Sequence, residues 1–329
     1  MSAIKALPGA TIFHHPAWLQ TLGECYGYRP FVVTVSDSHG VVEAGLPCAE
    51  VRSRLTGRRW VSLPFTDYCP PLYRDDPALA SLTDSLLKLA EQRRTPRIEL
   101  RWEFPSRTAI HPYSHHVLHI LRLEPDTQCL GRRLDTTHRQ NIRAAKKHDL
   151  RIERGADIEH MRAFYQLQVE TRQRKGIPAQ PWAFFEKLTS TVLGKKLGFV
   201  LLAYADDDCL AGAVFLHWGG ALMCKYAASR EETLGLRPNN LIFWTAICWG
   251  CENGFTTFDM GRTALENTGL REFKSRWGAE ETSLIYATIG ADPPSPQDGR
   301  LMRAIGAVIR RAPPWVCRIS GDVLYRHVG

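Results

Sequence analysis

Residues 255–278 read FTTFDMGRTALENTGLREFKSRWG, and this stretch combines a buried strand with reactive side chains. Its first residues are β-branched and aromatic, which predicts a short strand over 256–260. The chain leaves this strand through Asp259, Gly261 and Arg262, passes through a glycine-containing loop and ends in FKSRWG. Because charged residues at the end of a strand often line a cleft, we expect the functional site here.

The composition describes a globular and basic protein. The chain has 329 residues, 44% of them hydrophobic, which suffices for one large domain or two of ordinary size. Lys and Arg total 42 against 34 acidic residues, so the formal net charge is +8. A positive balance favours anionic partners, namely phosphates, nucleic acid or an acidic lipid surface.

The cysteines and the apolar runs indicate the cellular compartment of the protein. Nine cysteines are scattered, mostly inside apolar runs, and no secretory signal precedes them. We therefore expect reduced thiols and a cytoplasmic protein, with the inner face of the membrane as a further location. No apolar run approaches the roughly 20 residues that a membrane-spanning helix needs, so any membrane contact is expected to be peripheral.

The order of predicted elements repeats, which indicates an internal duplication. Helix, hairpin, strand, helix and strand are predicted at 16–26, 31–35 with 41–51, 60–63, 78–91 and 98–102. Helical stripes at 158–165 and 182–192 open the second set, which continues with strands at 199–205, 210–218 and 221–228, a helix at 239–252 and the strand at 256–260. Both halves also carry an Ala-Gly pair in the second hairpin strand, at residues 44–45 and 211–212. We predict two similar α/β halves.

Four segments follow from this repeat. We predict an N-terminal half at 1–128, a basic connecting segment at 129–155, a C-terminal half at 156–290, and a proline-rich linker with an amphipathic basic tail at 291–329. In the connecting segment, one helical face carries Arg139, Arg143, Lys146 and Lys147. Like charges at i, i+4 repel, so this face is either a solvated surface or an anion-binding surface.

The tail after residue 300 is strongly amphipathic. An apolar stripe lies beside several arginines, which fits a helix on an anionic membrane surface. The same pattern is the ordinary sign of a helix that packs against its own domain, so both interpretations stay open. The stripe consists of Leu301, Met302, Ile305, Val308 and Ile309.

An ordered series of short motifs runs from about residue 130 to 290. Its members are Arg139, Asn141, Ile142, Arg143, Ala145 and Lys147; Thr171, Arg174, Gly176 and Pro178; Ala211, Gly212 and Ala213; Pro238; Gly254, Phe258, Asp259, Gly261 and Arg262; and Phe273, Lys274, Trp277 and Gly278. This series resembles the FemAB-like branch of the GNAT N-acyltransferases, in which two GNAT-type halves are fused. The resemblance implies an α/β (α+β) chain of tandem GNAT-like domains, each with a mixed, mostly antiparallel sheet flanked by helices.

The resemblance also implies a donor site in the second half. In GNAT folds the acyl donor enters where two neighbouring strands splay, and its phosphates rest on the start of the following helix. Here this implies a strand that ends near Tyr226, a cation at Arg237, the helix opening at Asn239 and Asn240, and Phe273. A helix N-terminus offers unpaired N–H donors and partial positive charge. The implied co-substrate is acyl-CoA, with aminoacyl-tRNA as the alternative donor and with no metal.

Acyl transfer to an amine needs a stabilised oxyanion and a proton acceptor. A similar Phe-Lys pair in FemAB-like ligases implies that Lys274 stabilises the oxyanion or contacts the donor phosphate, and Arg262 is the second candidate. Asp259 and Glu170 are the candidate bases, and transfer assisted by the substrate alone is the other possibility.

The acceptor site is implied in both halves. By resemblance, Asp67 and Tyr68 in the loop SLPFTDY face the acceptor from across the groove between the halves. Arg174 matches a family position for the acceptor, and Arg143 in the basic segment is a further candidate. An ordinary helix C-cap also explains the cations near Arg174, so that alternative remains.

These observations predict an N-acyltransferase that moves an acyl group from an activated donor to an amine on a cell-envelope or exopolysaccharide precursor. One alternative is a peptidyltransferase of the peptidoglycan type that uses aminoacyl-tRNA. The other is a non-catalytic binding protein of envelope assembly. Two possible zinc or metal patterns, Cys248 with Cys251 and the histidines of 111–119, lack companion ligands at suitable spacing, so we expect no metal site.

Overall fold

A computed structural model describes residues 7–54, 56–95, 97–291, 293 and 300–328, with the backbone alone for 300–303 and 328. The packing of the chain defines two compact units. The first unit holds the described residues of Met1–His116, Ser283–Gly299 and Val323–Gly329, and the second holds Val117–Thr282 and Arg300–Asp322. These bounds differ from the predicted halves, because residues 283–289 fold with the first unit and most of the tail folds with the second.

Both units contain helices and strands. The helices are α1 (Pro16–Tyr26), α2 (Asp76–Gln92), α3 (Thr127–Arg133), α4 (Thr136–Lys147), α5 (Ile158–Lys175), α6 (Trp182–Thr191), α7 (Pro238–Glu252), α8 (Thr268–Ser275), α9 (Arg300–Arg311) and α10 (Pro314–Val328). The strands are β1 (Arg29–Ser36), β2 (Val42–Ser53), β3 (Gly57–Val61), β4 (Leu72–Tyr73), β5 (Ile98–Leu100), β6 (Ile110–Arg122), β7 (Arg151–Gly155), β8 (Gly198–Ala205), β9 (Asp208–Trp218), β10 (Ala221–Ser229), β11 (Thr257–Ala264) and β12 (Glu280–Ile289).

The first unit is a mixed sheet with α1 and α2 beside it. Its strands follow the order β1-β2-β3-β5-β12, and β4 pairs with β2. All of these pairs are antiparallel except β3 with β5, which is parallel. The helix α1 begins at Pro16, where the fixed φ of proline suits the first turn, and it ends at Gly27 in the left-handed conformation.

The second unit repeats this plan with longer strands. Its order is β7-β8-β9-β10-β11-β6, and β10 with β11 is parallel whereas β7, β8, β9 and β10 pair antiparallel. Its core combines aliphatic side chains with aromatic rings, of which Phe215, Phe258 and Trp277 are almost fully buried. The structure confirms the predicted fold class, in which a mostly antiparallel sheet is flanked by helices.

Two ordered elements were not predicted. The loop expected between Arg262 and Phe273 contains most of α8, which also carries Lys274. The histidine-rich segment 111–119, considered above only for metal binding, belongs to the 13-residue strand β6. The helix α8 buries only Lys274, and the four histidines of β6 replace the β-branched residues that are typical of a strand.

The tail combines a buried side and an exposed side. Ile309 of α9 and Cys317 of α10 are buried, and the backbone N–H of Ala179 donates to the Cys317 carbonyl. Part of the tail therefore packs against its own unit. Val308 and Trp315, by contrast, remain 63% and 54% exposed. Among the described residues no helix is long and apolar enough to cross a membrane.

Candidate functional site

The parallel strands β10 and β11 stay together for only three residue pairs. The last of these pairs is Met223 with Asp259, and a β-bulge between Cys224 and Tyr226 then changes the register of β10 against β9. A bulge bends its strand and increases its twist, so the second part of β10 leaves β11. The resulting gap lies in the position where the sequence predicted a donor.

A cavity of 200 Å³ occupies this region and is called here the strand-gap cavity. The end of α5 supplies the cations Arg174 and Lys175, whereas α7 and α8 supply apolar rings. Its lining consists of Thr171, Arg174, Lys175, Ala227, Ala228, Ser229, Asn239, Phe243, Leu270 and Phe273.

A second cavity, of 280 Å³, lies at the first turn of α7 and is called here the helix-start cavity. It shares Asn239 and Phe273 with the strand-gap cavity, so the two are neighbours. Its lining consists of His138, Asn141, Leu234, Arg237, Pro238, Asn239, Asn240, Gly269, Glu272, Phe273 and Arg276.

The start of α7 suits an anion. Arg237 stands before the helix with a left-handed φ of 61°, Pro238 occupies the first turn, and no side chain caps this end. The Arg237 side chain is exposed, so its charge is available to a ligand. Pro238 has no N–H, and the N–H groups of Arg237 and Asn240 donate to the Leu234 and Arg237 carbonyls at 3.1 Å. The Asn239 N–H, the positive end of the helix dipole and the Arg237 guanidinium are therefore the groups that suit a phosphate.

Two asparagines fix the walls of this site. Asn239 donates from Nδ2 to Ser229 Oγ at 3.2 Å, which links α7 to the end of β10. Asn240 is buried and donates from Nδ2 to His138 Nδ1 at 3.2 Å. The other ring nitrogen of His138, Nε2, lies 2.9 Å from the Phe273 carbonyl and donates to it.

His138 is thereby held as a neutral ring with a defined tautomer. Burial lowers its pKa, and the hydrogen bond to the Phe273 carbonyl and the charge of Asp135 offset only part of this effect. The ring also packs against Trp277 at a centroid distance of 4.4 Å. His138 therefore joins α4, α7 and α8 around the helix-start cavity, although the sequence analysis did not identify it.

Lys274 lies at the splayed end of β11. The residue is only 4% exposed. Its ammonium donates to the Gly261 carbonyl at 2.7 Å and to the Arg262 carbonyl at 3.4 Å. Both acceptors belong to the segment in which Gly261 adopts a φ of 70°. Lys274 thus anchors the backbone where β11 has left β10, which is compatible with either predicted role.

The two predicted bases lie in different environments. Asp259 is buried at the last paired position of β11, and its Oδ1 accepts the Gly261 N–H at 2.7 Å. Glu170 lies on α5 with a partly exposed side chain, 3.7 Å from Arg230. Only Asp259 therefore lies at the point where the strands separate.

A buried histidine lies in the electrostatic field of Lys274. His119 of β6 is fully buried, and burial together with the charge of Lys274 lowers its pKa. Its Nε2 lies 3.0 Å from Glu281 Oε2, and its Nδ1 has no hydrogen-bond partner in the described part of the chain. The sequence analysis considered this residue only as a metal ligand, and no group of three or more metal-ligating side chains occurs among the described residues.

Of four other predicted site residues, three line neither cavity and one lines the strand-gap cavity. Tyr226 packs its ring against Phe185 at 5.4 Å and lines neither cavity. Arg143 is exposed on α4, and Arg262 is half-buried on β11. Arg174, predicted for the acceptor, instead lines the strand-gap cavity, where its Nη1 donates to the Ser229 carbonyl at 3.2 Å.

The predicted acceptor residues of the first unit lie in an unusual loop. Leu63 and Phe65 adopt left-handed φ values of 63° and 60°, which residues other than glycine seldom do. Tyr286 donates from its hydroxyl to the Asp67 carbonyl, and Tyr68 packs against Trp102. Strained backbone of this kind occurs often at ligand sites.

The sequence analysis missed several lining residues of the helix-start cavity. His138 and Asn141 lie three residues apart on α4, so they share one helical face with the buried Ile142. That spacing was visible in the sequence, whereas the ion pair of Glu272 with Arg276 follows from α8, which was not predicted.

Comparison with known proteins gives one family match. Residues 132–275 match the family model of the acetyltransferase (GNAT) domain. No protein of curated function matches the sequence.

Three solved structures resemble the fold. FemX is 16% identical with a TM-score of 0.69, covering 87% of this chain and 94% of its own. The C-terminal domain of a putative lysylphosphatidylglycerol synthetase from Agrobacterium fabrum is 12% identical with a TM-score of 0.57, covering 94% and 96%. A tandem GNAT protein from the clavulanic acid biosynthesis pathway is 10% identical with a TM-score of 0.55, covering 89% and 93%. At these identities the likeness concerns the fold.

Proposed function

We propose that this acyltransferase, which has a GNAT domain in a FemAB-like double-GNAT fold, is an N-acyltransferase that uses an activated donor. The donor binds along the strand-gap and helix-start cavities, and the acceptor is an amine on a cell-envelope or exopolysaccharide precursor. The single observation that carries this proposal is the separation of β10 from β11 after Met223, beside an uncapped α7 that begins at Arg237.

The donor's phosphates would lie in the helix-start cavity. Arg237 and Arg276 supply positive charge there, and Glu272 pairs with Arg276 and so fixes its position. The apolar rings Phe243 and Phe273 of the strand-gap cavity, 5.5 Å apart, would then hold the acyl end of the donor away from water. This arrangement separates the charged and the apolar ends of one ligand.

The reaction would begin with attack of a neutral amine on the donor carbonyl carbon. The carbonyl electrons move onto oxygen, and the oxyanion needs a cation or an N–H donor nearby. Lys274 and Arg262 are the candidates, because both flank the splayed end of β11. When the oxyanion collapses, the bond to the carrier breaks and the carrier leaves as an anion.

The amine also loses one proton during this reaction. Among the carboxylates, Asp259 is the better placed base because Glu170 lies on α5 beside Arg230. The choice between these two carboxylates is testable by the turnover of Asp259→Asn and Glu170→Gln.

An acyl-CoA thioester is the proposed donor, and aminoacyl-tRNA is the second candidate. The second candidate is favoured by one observation: Arg143, Lys146 and Lys147 are exposed along α4, and α4 also supplies His138 and Asn141 to the helix-start cavity. A polyanion can follow such a cationic face, whereas a CoA thioester needs only the two cavities.

Contact with a membrane surface is a further part of the proposal. Val308, Trp315 and Ile319 are exposed apolar residues of α9 and α10, and the neighbouring Arg311 and Arg318 are also exposed. Apolar side chains flanked by arginines suit an interface with anionic lipids. One of the structural neighbours is named after a phosphatidylglycerol lipid, which agrees with an acceptor located at a membrane.

The test is thermal unfolding of the full chain with a panel of acyl-CoA thioesters, free CoA and aminoacyl-tRNA. A ligand at 100 times its dissociation constant adds about 2.7 kcal/mol of stability. We expect one thioester to raise the melting temperature, and we expect Arg237→Ala to remove this shift.

Arg143→Ala is the matched control, because Arg143 is an exposed cation that lines neither cavity. It should leave the effect of a thioester unchanged but weaken aminoacyl-tRNA if that is the donor. Stabilisation by neither donor class would contradict the proposed function.

A further inference from the structure

We propose that the first unit carries a separate binding site for an organic anion that combines an aromatic ring with a phosphate. The site is a cavity of 550 Å³ and is called here the arginine cavity. Its volume lies in the range of small-molecule sites, roughly 300–1,000 Å³. Its lining consists of Arg29, Pro30, Phe31, Val32, Val33, Thr34, Glu50, Arg52, Arg58, Trp60, Leu89 and Arg93.

The pairing of three strands builds the wall of the arginine cavity. Arg29 of β1 lies opposite Glu50 of β2, and Glu50 lies opposite Trp60 of β3. Directly paired residues share one face of a sheet, so these three side chains form one row. In the adjacent row, Arg52 lies directly opposite Arg58.

The arginines outnumber the acids in this cavity. Four arginines line it, and Glu50 is its only acidic lining residue among those described. Two arginines directly opposite each other repel and destabilise a sheet pair. Glu50 offsets one of the four positive charges, so the side chains that line the cavity keep a net charge of +3, which a second anion would offset further.

Glu50 holds two of the arginines in place. Its carboxylate accepts from Arg58 Nε at 2.6 Å and from Arg52 Nε at 2.9 Å. Burial alone would raise the pKa of Glu50, but these hydrogen bonds outweigh burial and lower it, so the carboxylate stays charged. Because Glu50 engages the Nε atoms, the terminal nitrogens of Arg52 remain available to a second anion.

Two further arginines have no acidic partner. Arg29 and Arg93 are exposed, and neither forms an ion pair within the described part of the chain. Guanidinium groups bind phosphate through paired N–H donors, which makes them better suited to this ligand than a single ammonium.

The remaining lining is apolar and aromatic. The rings of Phe31 and Trp60 meet edge to face at 4.9 Å, and Leu89 of α2 adds an aliphatic side chain. Such a surface favours contact with a flat or apolar group over contact with water. The arginine cavity therefore matches a ligand with a charged end and a ring, and inorganic phosphate alone would leave half of it unused.

Both units pack a tryptophan against a phenylalanine of the sheet. In the second unit Trp249, in the last turn of α7, packs against Phe199 of β8 at 4.5 Å. In the first unit the pair is Phe31 with Trp60, and there it lines the arginine cavity together with Leu89 of α2.

The test uses the full chain and 1-naphthyl phosphate in isothermal titration, with inorganic phosphate and 1-naphthalenemethanol as partial probes. We expect the double variant R29A/R93A to bind 1-naphthyl phosphate at least roughly ten-fold more weakly than the wild type. Arg54→Ala is the matched control, because Arg54 is an exposed arginine of the same unit outside the cavity. It should bind as the wild type does.

Arg237→Ala distinguishes binding at the donor site from binding in the arginine cavity. This variant should leave the affinity for 1-naphthyl phosphate unchanged. Equal affinities of the wild type and R29A/R93A would overturn the proposal. Inorganic phosphate that binds as tightly as 1-naphthyl phosphate would overturn the ligand class, since the aromatic wall would then contribute nothing. Both variants change exposed side chains, so a folded protein is expected, and its melting temperature verifies this.

Discussion

The corresponding helices α2 and α7 begin in opposite electrostatic environments. In the first unit, Asp75 caps α2 by accepting the Ala78 N–H at 3.0 Å, and Asp76 follows in the first turn. In the second unit, α7 begins after the cation Arg237 and has no side-chain cap. An acid at a helix start supplies the negative charge that the helix dipole favours, so α2 has no need of a ligand anion.

The parallel strand pairs beside these helices also differ between the units, because the first pair is bridged beyond its paired residues and the second borders a cavity. Beyond the paired residues of β3 and β5, Ser62 Oγ accepts the Arg101 N–H at 2.6 Å and so bridges the two chain segments. Beyond the paired residues of β10 and β11, the strand-gap cavity lies beside Ala227, Ala228 and Ser229. The two units share an order of elements, but only the second leaves its strand gap and its helix start accessible.

Two units with similar orders of elements can therefore differ in their sites. A capping aspartate and one serine hydroxyl close the first unit at the two places to which we assign the donor in the second. We therefore expect one donor per chain.

The largest expected effect comes from Lys274, for which the first unit offers no counterpart in the proposed reaction. Lys274→Met keeps the length of the side chain but removes the donor to the Gly261 and Arg262 carbonyls. We expect kcat to fall roughly 100- to 1,000-fold if the ammonium stabilises the oxyanion. Loss of the buried hydrogen bonds should also lower the free energy of unfolding by about 2 kcal/mol.

Lys274→Arg separates these two contributions. It retains a cation, so partial activity with restored stability supports a role in the reaction. Full activity of a folded Lys274→Met protein would show that Lys274 acts only as a structural anchor.

The next effect concerns the helix starts themselves. Arg237→Asp gives α7 the acidic start of α2, and we expect donor affinity to fall roughly 10- to 100-fold, equal to about 1.4–2.7 kcal/mol. The reciprocal variant Asp75→Ala should cost about 1 kcal/mol of stability through the lost cap, with unchanged donor affinity. Donor titration and denaturant unfolding of both variants measure this pair, and weaker donor binding by Asp75→Ala would invalidate the comparison.

A smaller effect concerns pH. The folded pKa of His138 lies below its unfolded value near 6.5, so its neutral form stabilises the fold above that pH. Stability should decrease as the pH falls below about 6.5, by at most about 1.4 kcal/mol per pH unit for this one group. His14 in the first unit is also buried with a lowered pKa, so both units should respond.

His138→Gln removes the titrating group from the second unit. The loss of unfolding free energy between pH 7.5 and 5.5 should be smaller in this variant than in the wild type. An equal loss in both proteins would assign the pH response to other groups.

The smallest expected effect concerns the closed strand gap of the first unit. Ser62→Ala removes the hydroxyl that accepts the Arg101 N–H, and we expect a stability loss of about 1 kcal/mol. Urea unfolding measures the change, with Ser36→Ala as the control because Ser36 is an exposed serine of the same unit. A loss no larger than that of the control would mean that Ser62 does not hold the strands together.

Much of the fold was predictable because local signals agree with it. Proline at the first turn and the apolar spacing located α1 at its observed bounds, and α7 was predicted to within one residue at its start. Apolar runs separated by a polar turn also located the hairpin of β8 and β9. These elements depend on local sequence, which a single chain displays.

Elements and residues that depend on distant contacts were not predictable. The helix α8 buries only Lys274, so it lacks the buried apolar stripe that would have predicted a helix, and its position depends on the contact of Lys274 with β11. His138 lay in a segment that was assessed only for its charge, and its partners Asn240 and Phe273 come from more than 100 residues away. The arginine cavity likewise arises from strand register, which composition does not disclose.

The most direct test of the central claim is the stoichiometry of donor binding. Isothermal titration of the wild type and Arg237→Asp with the donor that stabilises the protein should give one site per chain, weakened in the variant. Two sites per chain, or a single site that Arg237→Asp leaves intact, would contradict the assignment of the donor to the start of α7.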